Sequence, residues 1–316
     1  PRAATGLYDE TSGRFTLIAG SQGSHRLKDQ LVALLGCAPE YVRVVCEDVG
    51  GGYGMRNWLF AEFALVVWAA QRLRRPVRWV GTRSESFLSD MQARDLATTA
   101  RLALDADGRF LALDIDHLSN IGAHTMSFVP LSNGVFLVAS IYDIPCAKVR
   151  ARAVLTNTLP TGPYRGAGRP EAMFNIERLI DEAAARTGID RMELRRLNLI
   201  PQDKLPYLNP IGLTYECGAF HENMDAALDV ADRAGFAARQ KAAEARGKRR
   251  GLGGSNYIET PVGFPREACH IKIDPKGSVD VDVGTQSHGQ GHETTFAQLV
   301  SEQLGVPFDQ IEIVHG

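Results

Sequence analysis

Four short stretches of this sequence carry residue types that could do chemistry. Gly50-Gly51-Gly52-Tyr53-Gly54 follows a β-branched run and precedes an apolar one. Gly162 to Gly168 encloses Tyr164-Arg165, Gly251 to Gly254 opens a further run, and Ser287-His288-Gly289-Gln290-Gly291-His292-Glu293 stands before a helical pattern. Together they hold twelve of the 31 glycines in 316 residues. Glycine has no Cβ, so its N–H can come close to a ligand, and a helix start beyond it carries partial positive charge; the pair suits an anion. Tight turns alone account equally well for any single cluster. Three clusters in one strand-to-helix context point to a phosphorylated ligand.

Known phosphate motifs do not fit. Gly50 to Met55 runs into Arg56-Asn57 and not Lys-Ser/Thr, so there is no Walker loop, and no third glycine in register completes GxGxxG. Arg165 and Arg169, on a loop stiffened by prolines, suit a bidentate grip on an anion, with solvated arginines as the plainer reading. The spacing of His288, His292 and Glu293 is loosely that of a zinc protease helix, but the glycines between the histidines break such a helix, so no protein-ligated metal is expected. Gln22, alone, reads as a helix cap or a solvated amide.

The elements that must position these residues follow from periodicity. Arg14 to Ser21, Tyr41 to Val49, Val77 to Arg83, Lys148 to Asn157, Gly251 to Thr260, Ala268 to Asp274, Val279 to Thr285 and Gln310 to Val314 read as strands. Two alternating runs between Ala97 and Ala123 flank Asp105-Ala106-Asp107-Gly108, a hairpin signal. Helices are expected at Ser24 to Leu35, Trp58 to Arg75, Arg169 to Thr187, Arg191 to Leu199, Phe220 to Arg249 and Thr294 to Leu304. Hairpins mixed with βαβ steps favour an α+β fold in two domains over a doubly wound sheet. No internal repeat is evident.

With 35 Lys+Arg against 37 Asp+Glu and a net charge of −2, the chain lacks the basic excess a nucleic-acid surface needs. Its 44% hydrophobic and 23% charged residues are those of a globular protein. The longest apolar run, Phe63 to Ala70, is far short of the ~20 residues of a membrane span. The five cysteines show no paired spacing, so neither a disulfide framework nor an iron–sulfur or zinc site is expected, and the compartment reads as cytoplasmic. The start without Met and the strand-like end lead us to expect a piece of a longer protein.

In this order, Gly50 to Gly54, Pro163-Tyr164-Arg165-Gly166-Ala167-Gly168-Arg169-Pro170-Glu171-Ala172 with Glu177-Arg178-Leu179 behind it, Arg195-Arg196-Leu197-Asn198-Leu199-Ile200, and Gly284 to Thr295 resemble the large subunit of the molybdenum hydroxylases. That family includes xanthine dehydrogenase, aldehyde oxidase and aerobic carbon monoxide dehydrogenase. The likeness runs from about Gln22 to Gly316.

The resemblance implies an α+β fold of the aldehyde oxidase/xanthine dehydrogenase type, with mixed sheets and packed helices in two subdomains. It implies a first molybdopterin-binding domain at 1–218, a helical connector at 219–250 and the truncated start of a second such domain at 251–316. The cofactor would be molybdopterin, in the cytosine dinucleotide form, with molybdenum held by the pterin and not by side chains. Gln22 matches the glutamine beside the metal. Gly52, Tyr53 and Gly54 match a Gly-Phe-Gly passing the metal, with Tyr for Phe. Arg165 and Gly166 match the loop over the metal, and Gly289, Gln290 and Gly291 match a turn on the pterin and its phosphates. Asn57 stands where xanthine dehydrogenases carry a substrate-contacting Glu, and Arg94 corresponds to an Arg used there. Carbon monoxide dehydrogenases carry a copper-binding Cys at the position of Gly166.

The implied reaction is oxidation of a small aldehyde, N-heterocycle or related substrate, with water as the oxygen source. Its glutamate base lies beyond Gly316, so no catalytic residue is placed in this chain, which alone is expected to be inactive and to hold no cofactor. Implied partners are iron–sulfur and FAD-bearing subunits in a homodimeric complex. The alternative is a non-catalytic, truncated homologue serving as a subunit-interaction protein.

Overall fold

Three times along the chain a β-hairpin is followed by a helix and a strand that returns parallel to the hairpin's second strand. The structure, a computed structural model, describes residues 1–260 and 266–315. In the first of these ββαβ units β1 (Ala3–Asp9) pairs antiparallel with β2 (Arg14–Ala19); α1 (Ser24–Leu35) then leads to β3 (Val42–Val45), parallel to β2. After α2 (Ala61–Leu73), β4 (Val77–Val80) joins the other side of β1, giving the order β3-β2-β1-β4, and α3 (Arg83–Ser89) follows. In the second unit β5 (Leu96–Leu104) and β6 (Phe110–Asn120) form the hairpin, α4 (Val129–Val135) crosses, and β7 (Ala147–Val154) lies parallel to β6. Helices α5 (Arg169–Thr187) and α6 (Arg191–Asn198), the short hairpin β8 (Tyr207–Leu208) and β9 (Thr214–Tyr215), then α7 (Phe220–Val230) and α8 (Phe236–Glu244) come next. The third unit is β10 (Cys269–Ile273), β11 (Val279–Val283), α9 (His292–Leu304) and β12 (Ile311–His315), with β12 parallel to β11.

By packing, the chain forms two compact units: Pro1–Asp90 with Pro261–Gly316, and Met91–Thr260. This division cuts through the stretch expected as one domain at 1–218. Of the expected second domain, residues 261–265 and 316 lie outside the described residues.

Local chemistry explains the elements. α5 buries Ala172, Ile176, Ile180 and Ala183, one face at helical spacing; Pro170 sits in its first turn, and Gly188 ends it in a left-handed turn. With α6 it covers the β5-β6-β7 sheet through Leu113, Ile115, Tyr142 and Leu194. In the other unit α2 lies on β1, and Gly6 permits the contact: a Cβ there would stand 2.4 Å from the Val66 carbonyl.

Three expectations change. The helix expected over Phe220 to Arg249 breaks at Asp232, whose φ of 46° is left-handed and whose carboxylate accepts from the Gly235 N–H at 3.1 Å. In its first half Met224 is buried in the core of its unit. Residues 251–260 alternate in burial as a strand would, but among the described residues no strand pairs with them; Asn256 Nδ2 instead donates to Tyr142 Oη at 3.0 Å. The helix expected from Trp58 starts only at Ala61.

Candidate functional site

Three of the four glycine-rich stretches lie beyond the carboxyl ends of the parallel strand pairs, the end at which open α/β sheets bind ligands. Gln22 sits between β2 and α1, the Gly50 loop follows β3, the Gly166 loop follows β7, and Gly289 to Gly291 join β11 to α9.

In the Gly50 loop the clearance left by glycine is filled by the protein itself. The Gln22 carboxamide oxygen accepts from the backbone N–H of Gly54 (2.8 Å) and of Arg56 (3.2 Å), and the Gln22 N–H donates to the Arg56 carbonyl at 3.0 Å. Two backbone donors fix which end of the amide is oxygen, so its NH₂ end faces away from them as a donor. A Cβ on Gly52 would fall 2.1 Å from Gln22 Cγ, and one on Gly51 would fall 2.2 Å from the Tyr53 ring. Gly51, Tyr53 and Gly54 all have left-handed φ, at 102°, 52° and 90°. Tyr53 is half exposed, and Asn57 lies at the loop's far end, partly buried.

In the same compact unit, the turn before α9 is built differently. Gly289 and Gly291 adopt φ of 104° and 74°, and no side chain caps the helix. Gln290 folds back on its own turn, its Oε1 accepting from the His288 N–H. Gln286 Oε1, His288 Nε2 and His292 Nδ1 are shielded from water and lack hydrogen-bond partners among the described residues. Burial, and then the nearby His292, hold the His288 ring below its ordinary pKa, so it stays neutral. Glu293 is not available as a ligand, since it pairs with His315 Nε2 at 2.9 Å. Among the described residues, no three His, Cys, Asp or Glu side chains converge as metal ligands. A cavity of about 820 Å³ separates this turn from the chain before Gly51, with Asp48, Gly50, Ser287, Gly289, Gly291 and His315 among its walls.

In the second unit the loop into α5 has left-handed φ at Gly166 (94°), Ala167 (44°) and Gly168 (99°). A Cβ on Gly168 would meet the Pro130 carbonyl oxygen at 1.9 Å. Arg94, itself at φ 60°, donates to the Arg165 carbonyl at 2.5 Å and lies 5.1 Å from the Tyr164 ring centre. Arg165 and Tyr164 are exposed. Arg169 is not an anion grip: it is 4% exposed, its Nε pairs with Glu259 Oε1 at 2.6 Å, and its NH2 donates to Thr260 Oγ1 at 2.6 Å. Tyr257, whose Oη donates to Glu259 Oε2 at 2.8 Å, belongs to this cluster, and sequence reasoning passed it over. The only signal for it was the alternation of residues 251–260.

The structure therefore brings Gln22, Gly52, Tyr53 and Gly54 into one contact set, with Asn57 at the loop's end. Gly289, Gln290 and Gly291 lie across a cavity from that loop's approach in the same unit. Arg94, Arg165 and Gly166 form a separate cluster in the other unit.

Comparison with known proteins decides what the arrangement is. Molybdopterin cofactor-binding domain families match residues 1–199 and 226–316. The chain belongs to the molybdopterin cofactor-binding domain family. It is 32% identical to the nicotine 6-hydroxylase large subunit of Paenarthrobacter nicotinovorans, over 98% of its own length and 40% of the relative's. It is 31% identical to the carbon monoxide dehydrogenase large chain of Hydrogenophaga pseudoflava, over 98% of itself and 41% of that chain. The crystal structure of quinoline 2-oxidoreductase from Pseudomonas putida 86 superposes with a TM-score of 0.92 at 32% identity, covering all of this chain and 42% of that one. The chain thus spans about 40% of the length of the curated relatives it matches. The α+β architecture with mixed sheets, expected from the sequence, is the one observed. Among the described residues no helix is long and apolar enough to cross a membrane.

Proposed function

We propose that this chain is the cofactor-binding part of a molybdenum hydroxylase large subunit that oxidises an N-heteroaromatic substrate, with water as the source of oxygen. The observation that carries this reading is the cavity beside the α9 turn: it is bordered by bare glycine backbone and by Gln286, whose Oε1, like His288 Nε2 and His292 Nδ1 of the same turn, is buried and without a hydrogen-bond partner among the described residues. Leaving a buried donor or acceptor unsatisfied costs about 1–3 kcal/mol each, so such a cluster calls for a polar ligand. A pterin with its phosphates, rich in both donors and acceptors, meets that demand.

In this reading Gly289, Gln290 and Gly291 hold the pterin and its phosphates in the cytosine dinucleotide form, and Gln22, Gly52, Tyr53 and Gly54 flank the metal. When bound, the cofactor supplies the centre that takes two electrons from the carbon being hydroxylated. This chain's residues orient and exclude. Gln22, its oxygen pinned by two backbone donors, offers its NH₂ as a fixed donor. Arg165 and Gly166 belong to the cofactor-binding set, and Asn57 and Arg94 are the substrate residues. Electrons leave through iron–sulfur and FAD subunits of a homodimeric cytoplasmic complex. The division into a first cofactor domain at 1–218, a connector at 219–250 and the start of a second domain at 251–316 belongs to the same proposal.

The preference for an N-heterocycle has two supports. Gly166 has left-handed φ, and a Cβ there would stand 2.5 Å from Pro170 Cγ, so the loop does not accommodate the cysteine that binds copper in carbon monoxide dehydrogenases. Asn57 replaces the glutamate of purine-oxidising relatives, and the relatives named for nicotine and quinoline match the chain across nearly its whole length.

The test is expression of the full reading frame with its partner subunits. We expect stoichiometric molybdenum, cytidine monophosphate released on acid hydrolysis, and incorporation of ¹⁸O from labelled water into quinoline or pyridine. Absence of molybdenum, or oxidation of carbon monoxide with no heterocycle turnover, overturns the proposal.

A further inference from the structure

Gly166 is pressed from a direction its neighbours in sequence do not explain. A Cβ there would lie 3.2 Å from the hydroxyl of Tyr257, ninety-one residues on, so the phenol reaches the position a side chain at 166 would otherwise take. Three successive polar contacts tie the phenol to the Gly166 loop. Tyr257 Oη donates to Glu259 Oε2 at 2.8 Å, and Glu259 Oε1 pairs with Arg169 Nε at 2.6 Å. Arg169 NH1 donates back to the Gly166 carbonyl at 3.4 Å, while its NH2 is fixed on Thr260. Arg169 is almost fully buried, so these contacts are anchored from inside the fold, whereas Tyr257 is about half exposed and open to a ligand.

A phenol has one proton to give and lone pairs to accept with. Here the proton is committed to a carboxylate, the strongest acceptor within reach, so only acceptor capacity remains for anything that arrives from solvent. Burial and the Glu259 hydrogen bond push the Tyr257 pKa up to about 12, so the phenol stays protonated at neutral pH and this polarity is fixed. Arg165 on the Gly166 loop, and Arg94, which reaches the Arg165 carbonyl from the segment before β5, disfavour a cationic visitor, which leaves a neutral N–H or O–H donor.

We propose that Tyr257 discriminates among substrates, its phenolic oxygen accepting a hydrogen bond from a neutral ring N–H or O–H, so that the preferred substrates are N-heteroaromatics of the lactam or hydroxylated kind. The inference rests on the hydroxylase reading above and adds the substrate class. A site built to hydrogen-bond a substrate group discriminates against the analogue lacking it far more strongly than a purely apolar pocket does.

The test compares 4-quinolone with quinoline on the full complex carrying wild-type, Tyr257→Phe or Glu259→Gln large subunit, each first checked for wild-type molybdenum content. For Tyr257→Phe we expect kcat/KM for 4-quinolone to fall about 10- to 30-fold, mostly through KM, with quinoline changed less than about 2-fold. In Glu259→Gln the Arg169 guanidinium takes the amide oxygen and turns the NH₂ toward Tyr257. The phenol proton is then released, and the preference should shift toward quinoline, whose ring nitrogen accepts. Equal losses on both substrates, or no change on either, overturn the inference. If wild-type complex oxidises neither ring, the hydroxylase reading falls. The Kd values of the two compounds then decide this inference on their own: loss of a 4-quinolone preference in Tyr257→Phe upholds it, and an unchanged ratio sinks it.

Discussion

The two glycine-rich stretches of the first compact unit look alike in sequence and behave as opposites in the structure. In the Gly50 loop the clearance at Gly51 and Gly52 is occupied from within: Gln22 fills the space over Gly52, Tyr53 covers Gly51, and the N–H groups of Gly54 and Arg56 are taken by the Gln22 oxygen. In the turn before α9, Gln286 Oε1, His288 Nε2 and His292 Nδ1 are buried and have no hydrogen-bond partner among the described residues. A satisfied loop is already rigid and can only position; an unsatisfied one is held short of its best free energy until something binds. The glycines before Tyr53 therefore serve the geometry of Gln22, and the capacity for the ligand lies mainly in the second stretch.

The strongest way to break this comparison is to add single methyl groups. Gly52→Ala places a Cβ 2.1 Å from Gln22 Cγ and must displace the carboxamide with both of its acceptor bonds. Overpacking together with the lost hydrogen bonds should lower the unfolding free energy by about 3 kcal/mol, read from urea denaturation. Gly50→Ala, with nothing within 4 Å of its Cβ, should stay within about 0.5 kcal/mol. Gly289→Ala meets only the Val49 carbonyl at 3.6 Å, so its cost is the left-handed φ alone, about 1–2 kcal/mol. Equal losses at positions 50 and 52 would end the distinction.

A sharper test makes one substitution in both regions. Gln22→Met removes a bonded carboxamide and strands the N–H groups of Gly54 and Arg56, which should destabilise the cofactor-free chain by about 2 kcal/mol. Gln286→Met removes an oxygen that has no partner and should leave the cofactor-free chain unchanged or stabilise it by up to about 1 kcal/mol. In the full complex, Gln286→Met should nevertheless lower the pterin content. Matching signs for the two melts would show that the unpaired atoms at the turn find partners in solution. Gln22→Glu adds a functional arm: the carboxylate can still accept both N–H groups, so the fold should hold, while loss of the NH₂ donor should lower kcat about 100-fold.

Much of the fold was legible because its longest elements are governed by local signals. α5 and α1 begin and end where apolar spacing and glycine caps place them, and the Asp105 to Gly108 hairpin lies between its two alternating runs. The losses are just as specific. β1 was missed because Gly6, a turn signal in sequence, is a packing residue under α2. α3 was missed although Thr82 and Glu85 form a capping box, a signal present in the sequence and overlooked. α4 starts with a proline and contains Gly134, whose Cβ would meet the Gly168 carbonyl, so a tertiary contact decided it. At the candidate site, residue types singled out the glycine loops, but which glycines are already filled depends on Gln22 at Gly52 and Tyr257 at Gly166, which approach from elsewhere in the chain. Arg169 looked like Arg165 in sequence and differs from it only through Glu259.

The smallest expected effect concerns protons and tests whether the turn before α9 is as closed to water as its unpaired atoms imply. Burial lowers the pKa of His288 below its ordinary value of 6.5, with His292 adding to the shift, and burial does the same to His117 in the other unit. Below pH 6.5 the unfolded chain binds these protons before the folded chain does, so stability falls as pH drops from about 6.5 toward the folded values and is flat above that window. The urea midpoint should therefore be lower at pH 5.5 than at pH 7.5. The fall should shrink in His288→Gln and separately in His117→Gln, each variant removing one histidine's share. A pH response untouched by His288→Gln would mean that water already reaches the turn, and the contrast between the two loops would lose its electrostatic half.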